Sequence, residues 1–388
     1  MRKKSKVCIL VMNEFIYDNP VFYRAGTLGS EGYEVVIVAL KDRENKLSDY
    51  ENKQGFCILR VNISARRLHM PIFGKILQFI EYIFKAVTIS VRQHSDVYHA
   101  CGYPGTLLVG FIASRINKSK LVYDTKDFHP GEKAVHSIKD RLDLALNYML
   151  EKLFIKKANA IITSSDSIAY EYKKIYKIEM PIAMRECKPF LMVGDSDKIR
   201  QSLGISDCRK IALYMGDIKQ NRGFDKFVEA AKYFDNIIGV IMGTGAYKKD
   251  LIDLVSRLNL KDTVKFIDRV AFEDLPAYIS SVDVGMTLFP NDCFNHSFNI
   301  DNRLFYYLSC GVPVISSNTF ERRKLIEQYG LGLIVDETDP QDIAGKLNNF
   351  LRDSVLYKQI KERVIDAAKN HINLKNESAK LLSAYKNL

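Results

Sequence analysis

A chain of 388 residues that is 47% hydrophobic has more apolar material than one ordinary core holds, so two globular domains are expected. Its seven cysteines are scattered, odd in number and without a CxxC pair, which argues against a disulfide framework or a zinc site and for a reducing cytoplasm. The formal net charge of +11 is uneven: residues 1–186 carry 29 basic against 20 acidic side chains, and residues 187–388 carry 28 against 26.

The start, MRKKSKVCILVMN, has a basic head but a short apolar run ended by Asn13, and it reads as a first β-strand rather than a signal peptide. No stretch approaches the roughly 18 apolar residues of a membrane span. Runs rich in Val and Ile then recur: YEVVIVAL, CILRVNI, DVYHA, KLVYDT and AIITSS in the first half, and RKIALYMGD, IIGVIMG, VKFIDR, VGMTLFP, VPVISS and LGLIVD in the second. Amphipathic helical stretches separate them, and this alternation is the signature of parallel sheets covered on both faces. The expected fold is therefore α/β, with Rossmann-like domains over residues 1–186 and 209–370 and a linker over 187–208. Residues 371–388 are expected to form a helix packing back across the domains. A ligand is expected in the cleft at the C-terminal strand ends. The DSD run at Asp195 to Asp197 reads as a turn or helix cap rather than a metal site.

Residues 65–92, ARRLHMPIFGKILQFIEYIFKAVTISVR, place Arg66, Arg67 and Lys75 beside Ile72, Phe73, Ile76, Leu77, Phe79, Ile80, Ile83 and Phe84. Those apolar positions cover more than one helix face. Two readings stand side by side, a surface that lies on an anionic membrane and an ordinary core helix. Nucleic acid is not expected as a partner; the basic surplus suits a membrane surface or a solvated lysine-rich face.

In LYMGDIKQNRGFDKFVEAA a strand ends at Met215, a loop opens at Gly216, and a helix starts near Gly223. Loop amides and helix start, with Lys219 and Arg222, suit a diphosphate. VIMGTGAYKKDL offers Gly243, Thr244 and Gly245 where bare backbone can approach a phosphate or ribose. NRLFYYLSCGVPVISS opens a third corner, with Asn302 and Arg303 at its helix start.

Over nearly its full length the sequence resembles the GT-B fold glycosyltransferases, closest to glycosyltransferase family 4, which uses nucleotide sugars with retention of configuration. GDIKQNRGFDKFVEAA resembles the family's donor-phosphate loop, with Arg222 at the usual basic position. VKFIDRVAFEDLPAYISSVDVGMTLFP resembles the segment whose backbone turn reads the base, here near Arg269 and Val270. NRLFYYLSCGVPVISS resembles the NKLFEYMAAGVPVI corner, which puts Asn302, Arg303 and Tyr306 at the donor. In the first half, DNPVFYRAGTLGSEGYEVVIVAL resembles the first helix, with Arg24 toward the cleft. DVYHACGYPG and KLVYDTKDFHP resemble the HAHDLP and YDSRELYP segments, and MPIAMRECKPF resembles VIRNCP, with Glu186 where Asn is usual.

This resemblance implies a GT-B fold of two Rossmann-like domains facing each other across a cleft. It implies a hexosyl transfer from a UDP- or GDP-sugar to a glycan or lipid-linked acceptor, in bacterial surface polysaccharide, lipopolysaccharide or protein-glycan assembly. Arg222, Lys219, His99 and Asp127 would carry catalysis. Gly216, Gly243, Thr244, Gly245, Arg269, Val270, Asn302, Arg303 and Tyr306 would bind the donor, and Arg24, Cys101, Tyr103 and Lys126 would face the acceptor. No metal or other cofactor is implied, because lysine and arginine stabilise the leaving diphosphate and a donor phosphate oxygen takes the acceptor's proton. The protein would be cytoplasmic, at the inner face of the cell membrane. Three departures stand out: Tyr306 replaces a ribose-gripping glutamate, Asp217 replaces a phosphate-binding arginine and is expected either to point away from the diphosphate or to pair with Lys219, and Cys101 with Gly102 replaces a histidine and an acidic residue. They leave open a catalytically silent GT-B scaffold or partner subunit.

Overall fold

The computed structural model describes residues 5–16, 18–42, 44, 46–53, 55–67, 73–131, 138–191, 194 and 196–388. It divides into two units, residues 1–185 with 378–388, and residues 186–377.

In chain order the first unit holds β1 (Lys6–Leu10), α1 (Asn19–Ser30), β2 (Glu34–Leu40), β3 (Tyr50–Lys53), β4 (Phe56–Val61), α2 (Phe73–Val91), β5 (Val97–Cys101), α3 (Pro104–Ile116), β6 (Lys120–Thr125), α4 (Ile138–Phe154), β7 (Ala160–Thr163), α5 (Asp166–Tyr176) and β8 (Ile182–Ala183). The sheet order is β3-β4-β2-β1-β5-β6-β7-β8. Its pairs are parallel except β3 on β4. Strands β1 and β2 are buried almost end to end, which is why they read as continuous apolar runs. The edge strand β3, YENK, is polar and escapes a hydrophobicity reading, since an edge strand needs one partner and no apolar face. Helix starts follow local chemistry: the Asp18 carboxylate accepts from the Val21 amide with Pro20 in the first turn, and Ser165 Oγ accepts from the Ile168 amide. Helix α2 packs on α3, and α3 on α4. Residues 378–388 return to this unit, where Leu381 and Tyr385 join the core formed by Val7, Ile9 and Ile37.

The second unit holds α6 (Lys198–Leu203), β9 (Lys210–Met215), α7 (Phe224–Ala230), β10 (Ile237–Met242), α8 (Lys248–Arg257), β11 (Val264–Ile267), α9 (Leu275–Ile279), β12 (Val284–Thr287), α10 (Phe294–Phe298), α11 (Asn302–Ser309), β13 (Val314–Ser317), α12 (Phe320–Tyr329), β14 (Gly332–Val335), α13 (Pro340–Arg352), α14 (Ser354–Asn370) and the start of α15 (Leu374–Lys386). Its sheet is wholly parallel in the order β11-β10-β9-β12-β13-β14. The strand order reverses between β9 and β12, and in such sheets the ligand crevice lies beyond the strand ends at that point. The stretch expected as a linker belongs to this unit and includes α6. Asp197 stands at the α6 N-cap without a side-chain capping bond, and Asp195 lies outside the described residues.

Candidate active site

At the switch point of the second unit, β9 delivers Tyr214 and the turn that begins at Gly216, while β12 delivers Leu288 and Phe289. Tyrosine hydroxyls tie these ends together. The Tyr214 hydroxyl donates to the Arg222 carbonyl and accepts from the Leu288 amide at 3.2 Å. The Tyr307 hydroxyl donates to the Leu213 carbonyl at 2.8 Å and accepts from the Met215 amide at 3.2 Å.

Three guanidinium groups gather on the Phe289 ring: Arg303 at 4.7 Å from its centre, Arg222 and Arg322 at 5.3 Å each. Arg303 and Arg322 are buried, Arg222 half-buried. Burial pulls the Arg222 guanidinium below its ordinary value and the neighbouring Arg303 charge pulls the same way. Arg303 is raised instead: burial opposes its charge, but Tyr214 and Asp301 overcome it. Such a concentration of cations is suited to an anion. Lys219 is exposed and its ammonium is 2.5 Å from an Asp217 oxygen, one of the two placements expected for that carboxylate; Arg269 approaches the same carboxylate at 4.0 Å.

The glycines of this corner also have a packing reason. A Cβ on Gly243 would lie 1.9 Å from the Gly216 carbonyl oxygen, and one on Gly245 would lie 2.1 Å from that of Ile218. The Gly216 amide donates to the Met242 carbonyl and the Ile218 amide to the Thr244 carbonyl. These residues are bare so that neighbouring loops can pack on each other. Thr244 is exposed, as is Arg269, and Val270 is half-buried against the core.

Two expected donor contacts are placed inside the fold. The Asn302 side chain donates to Glu186 and accepts from Lys188 Nζ at 2.6 Å, so it clamps the segment that leads into this unit. Tyr306 is 6% exposed, its ring edge-on to Phe272 and 4.8 Å from Lys188 Nζ. It is a core residue beside a buried cation, which corrects the expectation of a ring lining an open nucleotide pocket. Lys188 joins both positions from more than a hundred residues away in the chain, and no local pattern in the sequence signals that contact.

In the first unit, His99 on β5 and Asp124 on β6 meet Arg24 from α1. Arg24 Nη2 donates to Asp124 Oδ1 at 3.2 Å and its Nε pairs with Oδ2. His99 Nε2 lies 3.4 Å from Asp124 Oδ2, and its Nδ1 is 2.7 Å from the Tyr385 hydroxyl. His99 and Asp124 are fully buried, Arg24 and Cys101 nearly so. Burial pushes the His99 imidazole down and the Cys101 thiol well up. Arg24, His99 and Cys101 thus lie together in the interior, where Arg24 and Cys101 were expected to face the acceptor and His99 to take part in catalysis. Tyr103 is exposed with its ring against His129, and Lys126 and Asp127 are half-buried beyond the β6 end, where Lys126 Nζ pairs with Asp18 at 2.5 Å.

A second buried network escaped the sequence reading. The Glu151 carboxylate of α4 accepts from the hydroxyls of Tyr123 at 2.6 Å, Tyr172 at 2.7 Å and Tyr176 at 2.5 Å. Thr125 Oγ1, beside the Tyr172 hydroxyl at 2.9 Å, donates to the Asp127 carbonyl. Glu151 therefore braces the loop that carries Lys126 and Asp127.

Residues 209–353 match the family model described as "Glycosyl transferases group 1". A D-inositol 3-phosphate glycosyltransferase of Geodermatophilus obscurus is 24% identical over 171 residues, 41% of this chain but only 37% of that relative. An alpha-D-kanosaminyltransferase of Streptomyces kanamyceticus is 22% identical over 291 residues, 71% of each chain. Anabaena HepE, solved in complex with UDP and glucose, superposes with a TM-score of 0.77 at 17% identity, over 99% of this chain and 100% of its own. Two parallel α/β units, each with the strand order reversing at its centre, are the GT-B architecture, and the stretch similar to group 1 glycosyl transferases falls on the unit that collects the arginines.

Proposed function

We propose that the chain is a retaining, metal-independent transferase of the family 4 kind, moving a hexosyl group from a UDP- or GDP-sugar to a glycan or lipid-linked acceptor. The observation that carries this reading is the arginine cluster on Phe289 at the switch point of the second unit. Arg222 and Lys219 stabilise the departing diphosphate, and electrostatic stabilisation of this kind often contributes more to catalysis than any other single effect. The HepE complex with UDP and glucose supports a nucleotide-sugar donor. Bacterial surface polysaccharide, lipopolysaccharide or protein-glycan assembly is the setting proposed for it. Calorimetric titration with UDP, GDP and their sugars tests the donor: saturable binding of one nucleoside diphosphate is expected, while binding of none would favour the silent scaffold.

The acceptor side is proposed to work at the cytoplasmic face of an anionic membrane. No described helix is long and apolar enough to cross one. Support comes from α2, where Ile76, Leu77, Ile80 and Phe84 are exposed, and from α4, where Leu142, Leu146, Met149 and Leu153 are exposed. The side chains of Arg66, Arg67, Ile72 and Phe73 lie outside the described residues. Lys75 on α2 and Arg141 and Lys152 on α4 are exposed as well. A basic, apolar helical surface of this kind suits anionic lipid.

A further inference from the structure

Asp292, Cys293 and His296 follow β12 in quick succession, and the first turn of α10 folds them onto one spot. A carboxylate oxygen of Asp292, the Cys293 Sγ and a ring nitrogen of His296 all lie within 4.8 Å of one another. Sulfur, imidazole nitrogen and a single carboxylate oxygen suit a borderline-soft divalent ion such as zinc, whereas magnesium and calcium take oxygen. A spacing rule built on CxxC pairs passes over this trio, because only one of its members is a cysteine.

The fold holds the trio from behind and leaves its front open. The His296 carbonyl accepts from Arg322 Nη2 at 3.0 Å, and its ring rests on Phe289 with centres 5.3 Å apart. Arg322 is tied in turn to Ser317 Oγ at 2.6 Å, and the Asn291 amide, next to Asp292, donates to the Glu337 carboxylate at 3.1 Å. Asp292 is exposed and the other two are half-buried, so an ion can enter from solvent.

A second trio, His99, Cys101 and Asp124, has the same ligand chemistry, but there Arg24 already pairs with both Asp124 oxygens. A guanidinium stands where a metal would have to go. Among the described residues no lysine or arginine pairs with Asp292; its partner is His296 Nδ1, at 2.6 Å from Oδ1. An ion has only that hydrogen bond to displace.

We propose that Asp292, Cys293 and His296 bind one zinc ion, with water in its fourth position. The thiol releases its proton to solvent as the sulfur ligates, and thiolate and carboxylate together balance the charge of the ion. The ion takes no part in transfer. It clips the turn between β12 and α10, and the proposal is independent of the donor reading, which needs no metal.

Titration of the untagged full chain, first stripped with a chelator, tests this with Co²⁺ and with Zn²⁺ against a chromophoric competitor. One ion per chain is expected, with a sulfur-to-cobalt charge-transfer band and the strong visible absorption of tetrahedral cobalt. Cys293→Ser should abolish that band. It and His296→Gln should each lower zinc affinity about 100-fold or more, and Asp292→Asn about 10- to 100-fold, the lower figures being the scale of a lost outer-shell partner. Asp292 is exposed, so its variant covers the case in which His296→Gln fails to fold. Cys208→Ser, at an exposed cysteine before β9, should change neither band nor affinity. Zinc should raise the thermal midpoint of the wild type and of Cys208→Ser, but not that of Cys293→Ser. Equal zinc affinity in the wild type and the three site variants, a cobalt complex without the sulfur band, or a loss confined to Cys208→Ser would each overturn the proposal and leave an adventitious ion only.

Discussion

Gly223 sits at φ +74° where the loop turns into α7, and a Cβ there would lie 2.0 Å from the Leu288 carbonyl oxygen. Both the backbone region and the space demand glycine, so Gly223→Ala should destabilise the second unit by about 1–3 kcal/mol from backbone strain, read as a lower thermal midpoint. Its neighbour Arg222 is the opposite case. Arg222→Ala should leave the midpoint nearly unchanged and cut transfer about 100- to 1000-fold, the scale of one lost leaving-group contact. Unaltered turnover with the true donor would remove Arg222 from the phosphate. Tyr306 separates sequence from structure most clearly. As a departure from the family glutamate it is legible in the sequence, but its consequence depends on Lys188, which is 1% exposed and 4.8 Å from the ring. Tyr306→Glu should therefore fold, with Lys188 as its counter-charge. The same change made with Lys188→Met should lose about 3–5 kcal/mol, because a buried carboxylate is then unpaired. Equal stability of the two would mean that Lys188 and position 306 do not interact.

Helices α2 and α4 carry the proposed membrane face. Phe84 is 73% exposed, Leu142 63% and Ile80 58%. On α4 the positions Leu142, Leu146, Met149 and Leu153 recur every three or four residues, hence on one side of the helix, while buried Glu151 points to the tyrosines. Replacing Ile80 and Phe84, or Leu146 and Met149, by serine should abolish binding to vesicles rich in anionic lipid. Thermal stability should stay within about 0.5 kcal/mol, as for other exposed sites. Unfolding instead would return these residues to the core. Binding should also fall as salt rises. The sequence made α2 legible as an apolar helix with too many apolar faces, but Phe79, half-buried, had to be told from its exposed neighbours by the fold. It held no sign of α4 as a surface of this kind, since LDLALNYMLEKLF also reads as an ordinary amphipathic helix. The buried strands and their order of appearance were legible because parallel strands under helices are apolar throughout. The networks were not. Glu151 meets tyrosines from β6 and α5, and Arg322 is one of several charges in FERRKLIEQY, so only tertiary placement distinguishes either residue from a solvated one.

At the scale of the whole chain, the groups that oppose acid are concentrated in the first unit. Burial raises the Asp124 carboxyl, but Arg24 and the His99 hydrogen bond hold it below its ordinary value. Asp18 behaves alike, burial being overcome by the Lys126 charge, and burial of Glu81 is overcome by Lys85 and the Ala65 and Ser64 amides, taking it down to about 2. His99 is driven down chiefly by burial, with Asp124 only partly offsetting it. In all four the folded state binds its proton more weakly than the unfolded chain does. Their stabilisation is complete above the unfolded values and is lost as pH falls through the folded ones. His99 enters this window first, below about pH 6.5, and the carboxylates follow below about pH 4. The lowered carboxyls of Asp207 and Asp336 in the second unit are exposed and locally held, by Arg209 and Thr338, and such groups contribute little. Differential scanning calorimetry of the full chain from pH 7.5 to 5 should therefore show the transition of the first unit falling while that of the second stays nearly level. His99→Gln, which removes the titrating ring and keeps a hydrogen-bonding side chain beside Asp124 and Tyr385, should flatten the first unit's slope between pH 7 and 5. Parallel movement of both transitions, or a slope that survives the substitution, would place the acid-sensitive group elsewhere.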